Sequence, residues 1–101
     1  MPLIYKICSR AMWTEAEAAG AFEGSEVDRR DGFIHFSTEA QVAETARRHF
    51  AGQLDLVVVA VEAAELGSEL RWEPSRGGEL FPHLYGPLPL TAVRSVRTLE
   101  S

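Results

Sequence analysis

The chain has 101 residues, 46% hydrophobic and 25% charged, which suffices for one domain with an apolar core and no stapling by disulfides or a structural metal. A single cysteine, Cys8, excludes an intramolecular disulfide, and a net charge of -5 disfavours nucleic acid, whose affinity rests on neutralising phosphates. We therefore expect one domain over residues 1–101, cytoplasmic, with no membrane-spanning segment, because the longest apolar run is far too short to cross a bilayer.

In chain order, residues 3–8 (LIYKIC) have strand composition around one lysine, Lys6. Met12, Trp13, Ala16 and Ala19 then recur at helical spacing, and Gly20 falls where a helix C-cap belongs. The mixed polar stretch AFEGSEVDRR, residues 21–30, has no sustained period and reads as an exposed loop that could serve as a lid. Strand character resumes at residues 33–36 within DGFIHFST. Thr38 and Gln41 supply a capping-box pattern for a second helix with Val42, Ala43, Ala46 and Phe50 on one face and Gly52 beyond its end.

DLVVVAVE, residues 55–62, is the run of β-branched residues expected of a central strand buried on both faces. Residues 70–73 read as a short strand, 74–78 as a loop, and 92–99 as a last strand. Between them ELFPHLYGPLPL carries three prolines, which argues against a regular helix or an inner strand. The element order predicts an α+β fold, with two main helices packed on a mixed or mostly antiparallel sheet.

The chemistry-bearing residues fall in three places. His35 lies in a strand directly before a helix, so the exposed N–H groups from Ser37 through Gln41, Thr38 included, form a candidate anion or hydroxyl site beside an imidazole; a core histidine satisfied by the backbone is the alternative. FPHLYG, residues 81–86, sets His83 and Tyr85 in an irregular aromatic segment, which suits either a packing plug or a pocket that stacks on a planar ring. In Arg71-Trp72-Glu73 the outer residues share one strand face, and Glu73 is the candidate general base or ribose-hydroxyl acceptor; a core tryptophan between a surface ion pair is the other reading.

Metal binding is not expected, since Cys8, His35, His49 and His83 show no ligand spacing, and His49 reads as a helix-end charge. Dinucleotide and phosphate-loop fingerprints are absent. Cys8, at the end of a buried strand, is not expected to be a nucleophile.

IYKICSRAMW, DGFIHFSTEAQV, DLVVVAVE, LRWEPSRGG and FPHLYGPLPLTAV together resemble the bacterial domain of unknown function 952 family over nearly the whole chain. That resemblance implies an ADP-ribosyltransferase-like fold, similar to RNA 2′-phosphotransferases, in which a first strand, a helix ending in glycine and an R-x-H-I-H-F/L-S motif follow in order. His35 matches the second histidine of that motif and Ser37 its serine. Lys6 and Ile7 stand where that enzyme type has histidine and glycine, Phe33 replaces the first histidine, and Asp31 stands at the arginine, so the groups for RNA 2′-phosphotransfer are missing.

The resemblance thus implies a cleft for NAD or a related nucleotide or metabolite, with possible transferase activity. His35, Glu73 and His83 are the catalytic candidates, and Asp31, Ser37, Thr38, Arg71 and Tyr85 the ligand-binding ones. A non-catalytic module that binds a small metabolite or peptide in the same cleft is the alternative.

Overall fold

The computed structural model describes residues 2–99. Its centre is β4 (Leu56–Glu62), which pairs antiparallel with β1 (Leu3–Ser9) on one side and β8 (Val93–Thr98) on the other. Alternation along β4 explains its unbroken apolar run. Val57, Val59 and Val61 face the larger core with Ile4 and Cys8 of β1, whereas Leu56 and Val58 face a second cluster with Ile7.

Each face is covered by one helix. Helix α1 (Arg10–Ala19) starts at Ser9, whose hydroxyl accepts from the Met12 N–H at 3.1 Å, and ends at Gly20, where φ of 92° suits glycine. It buries Trp13 and Ala16 in the larger core. Helix α3 (Glu39–His49) has the expected capping box between Thr38 and Gln41 and packs Val42 and Ala46 on the second cluster. The fold class is therefore α+β, and every strand pair among the described residues is antiparallel.

A second three-stranded sheet runs in the order β3 (Ile34–His35), β6 (Leu80–Leu84), β5 (Leu70–Pro74). It joins the first where Tyr5 and Ser37 exchange backbone hydrogen bonds of 2.8 Å. A small ladder pairs β2 (Ala21–Phe22) with β7 (Leu88–Pro89).

Two expectations need correction. Residues 21–30 are not an open loop: β2 occupies their start, and α2 (Glu26–Asp31) their end, nucleated by a reciprocal capping box between Ser25 and Asp28. Four residues of SEVD carry that signal locally, and the lack of a longer apolar period hid it. The proline-rich segment also supplies an inner strand, since β6 lies between β3 and β5. Pro82 is tolerated there because it falls where the short β3 stops: its carbonyl accepts from the Phe36 N–H at 3.0 Å, and only the reciprocal donor is missing. Trp72, one reading of which made it a core residue, is 43% exposed.

Candidate functional site

The site is built on one face of the β3-β6-β5 sheet. Strand register sets His35 directly opposite His83, and His83 opposite Arg71, so the three side chains cross the sheet in a row. Glu73, two residues beyond Arg71, and Tyr85, two beyond His83, extend the same face.

Each histidine is held by a carboxylate. His35 Nδ1 lies 2.6 Å from Asp28 Oδ1, and its Nε2 lies 3.0 Å from Asp31 Oδ2, both from α2. His83 Nδ1 lies 2.8 Å from Glu73 Oε1, the same oxygen that accepts the Tyr85 hydroxyl at 2.7 Å. An ionised carboxylate only accepts, so His83 donates from Nδ1 and a neutral ring keeps its lone pair on Nε2.

Asp28 anchors the first of these arrangements. It is 2% exposed, its Oδ2 meets Lys6 Nζ at 2.8 Å and accepts the Ser25 N–H at 2.8 Å, and its Oδ1 accepts the His35 N–H at 3.2 Å. Burial works to raise its pKa, but the bonds from His35 and Lys6, the lysine charge and the Ser25 amide together hold it well below the usual aspartate range. Lys6 shares the face of β1 that carries Ile4 and Cys8 and reaches Asp28 beneath the Phe22 ring, 6.0 Å from its centroid. A lone lysine within an apolar strand was the sequence signal for this buried pair.

The second arrangement is more open. Hydrogen bonds from His83 and then Tyr85 lower the pKa of Glu73, and the bond to Glu73 raises that of Tyr85. The Arg71 guanidinium lies 5.0 Å over the Tyr85 ring.

Phe33 links the two halves. Its ring stacks on His83 with centroids 4.0 Å apart and planes at 24°, and stands 4.6 Å from His35 and 5.2 Å from Tyr85. Neither Phe33 nor Asp28 nor Lys6 was among the sequence candidates.

Of those candidates, His35, His83, Glu73, Tyr85, Arg71 and Asp31 come together. Ser37 and Thr38 do not offer free groups to this face. The Ser37 N–H donates to Tyr5, its hydroxyl donates to Thr45 at 3.0 Å, and the Thr38 N–H donates to the Gln41 side chain at 3.0 Å. The Ser37 and Thr38 N–H groups expected beside His35 are thus taken up by the junction with β1 and by the α3 cap. Among the described residues no group of three or more histidine, cysteine or acidic side chains is arranged to hold a metal, and no helix is long and apolar enough to cross a membrane.

Two hollows lie elsewhere. One of about 370 Å³ is bordered by Gly20, Glu65, Leu66, Glu69 and Pro87. Another of about 230 Å³ is bordered by Phe50, Leu54, Asp55 and Leu99. Neither is lined by a histidine or an oriented carboxylate–imidazole pair, so the sheet face is the stronger candidate on chemical grounds.

Fold and site define an α+β protein with two carboxylate-held histidines paired across antiparallel strands. Residues 7–96 match the model of the family described as Protein of unknown function (DUF952), and the chain belongs to that family. It is similar to the crystal structure of protein CC0527 from Caulobacter crescentus, with 56% identity and a TM-score of 0.94 over 97% of this chain and 86% of that one. The solution NMR structure of the same protein gives 56% identity and a TM-score of 0.87, over 99% and 86% of the two chains. No curated protein matches.

Proposed function

We propose that the chain has an ADP-ribosyltransferase-like fold and binds a nucleotide of the NAD type on the β3-β6-β5 face, at its nicotinamide-ribose end. The observation that carries this reading is the pairing of His35 with His83, each held by its own carboxylate, beside the rings of Phe33 and Tyr85. The rim charges favour that end of the molecule. Asp31 and Glu73 suit ribose hydroxyls and a cationic pyridinium, and Arg71 is the group on the face suited to a phosphate.

As a transferase the site breaks the glycosidic C–N bond. Nicotinamide leaves with the bonding electrons, positive charge develops on the ribose, and Glu73 is the carboxylate placed to stabilise it. Asp31, held by His35 Nε2, anchors the ribose hydroxyls, His83 and Tyr85 orient Glu73, and a hydroxyl or water bonds to the ribosyl carbon as its proton is released to solvent. A soluble metabolite of this kind, with no nucleic acid involved, fits a cytoplasmic protein.

NMR titration with NAD, ADP-ribose and nicotinamide tests the reading through the imidazole signals of His35, His49 and His83. Shifts at His35 and His83 with His49 silent are expected; no shift at millimolar ligand removes the nucleotide from consideration. A second reading, a binding module without turnover, is favoured by the Phe33 ring lying on His83. Chromatographic detection of free nicotinamide separates the two, because a module returns its ligand unchanged.

A further inference from the structure

The position of Phe33 follows from the end of α2. Gly32 closes that helix with φ of 90°, and the Gly32 and Phe33 N–H groups both donate to the Asp28 carbonyl, at 2.9 and 3.2 Å. The chain then turns the Phe33 ring down onto the sheet.

There it lies in a flat slot. The His83 ring forms the floor, His35 and Tyr85 the flanks, and the carboxylates of Asp31 and Glu73 stand at the rim through their contacts with the two imidazoles. The phenyl ring satisfies the stacking demand of the floor but can make no hydrogen bond or charge contact with that rim. Phe33 is half-buried, whereas His83 is only 5% exposed beneath it.

We infer that Phe33 is a stand-in occupant of a subsite for a planar, electron-poor ring of the pyridinium class, and that it swings out about Gly32 when such a ring enters. This rests on the proposed nucleotide reading and adds to it the residue that a ligand displaces. Exchange of one stacked ring for another leaves floor contact nearly unchanged, while a cationic ring gains attraction to Asp31 and Glu73 that phenylalanine cannot supply.

The test uses Phe33→Ala and Phe33→Trp, titrated with 1-methylnicotinamide and NAD, together with the rate at which diethyl pyrocarbonate modifies His83, located by peptide mass spectrometry. Removal of the occupant is expected to lower Kd for both ligands roughly 2- to 10-fold, the range set by one aromatic stacking contact, and to speed modification of His83. The larger indole is expected to raise Kd. If Phe33→Ala fails to fold, Phe33→Leu, which keeps apolar bulk without a flat ring, is expected to tighten binding by a smaller factor.

Equal or weaker binding by a folded Phe33→Ala overturns the inference, since Phe33 is then a platform or a bystander, and leaves the nucleotide reading intact. Absence of binding to the natural chain and to the variant at millimolar ligand overturns both together.

Discussion

His35 and His83 are directly paired residues of neighbouring antiparallel strands, with ring centroids 5.6 Å apart and planes at 68°. Each ring leans on a carboxylate from a different part of the chain, α2 for one and β5 for the other. The two halves of the site are therefore coupled through sheet register and separable by mutation.

Glu73→Gln probes the second half. Its carboxylate, by accepting the Tyr85 hydroxyl, raises the phenol above its ordinary 10.0. An amide accepts more weakly and carries no charge, so Tyr85 should ionise at lower pH in the variant, followed by NMR of its ring carbons. An unchanged Tyr85 titration would remove Glu73 as the cause.

Asp28 gives the fold an acid sensitivity. Its folded pKa is depressed below the ordinary 3.8, so the native state holds fewer protons than the unfolded chain between the two values. The resulting stability is fully present above pH 3.8 and declines as pH falls toward the folded value. Asp28→Asn should flatten that decline but leave Lys6 without its counter-charge, a loss of about 3–5 kcal/mol for a broken buried pair. Urea denaturation across the acid range measures both effects.

Gly24 holds the entry to α2. It has φ of 104°, and a Cβ there would stand 2.8 Å from Asp28 Cβ. Gly24→Ala should cost about 2 kcal/mol of stability and perturb the His35 imidazole signal, because Asp28 must give way. Gly20→Ala, where a Cβ meets nothing within 4 Å, should cost stability without moving that signal.

Cys8 should be inert in the folded protein. Burial pushes its thiol up to about 11, an effect that nearby Lys6 only partly offsets, so thiolate is scarce at neutral pH. Ellman's reagent should leave the native chain unlabelled over a period in which the chain in concentrated guanidinium reacts fully. Rapid labelling of the native chain would place Cys8 nearer the surface.

Much of the frame is local and was therefore legible. Ser9 and Gly20 bracket α1, Thr38 and Gln41 start α3, and the valine run of β4 needs burial on both faces whatever its neighbours are. The Ser25–Asp28 box was equally local but too short to stand out beside longer periodic signals. Pro82 misled because the rule against proline in inner strands assumes a full ladder on both sides, and β3 ends where the missing donor would be needed.

By itself the sequence determined the α+β class, the two principal helices, the central strand and the presence of His35, His83, Glu73 and Tyr85 as groups able to do chemistry. These follow from propensity, capping and alternation, which act over a few neighbouring residues. Tertiary structure alone decided that His35 faces His83, that Lys6 and Asp28 meet beneath Phe22, and that Phe33 covers the shared floor. Those relationships depend on strand register and helix docking between segments far apart in the chain, where the free energy of burying and pairing is settled only after the chain has closed on itself.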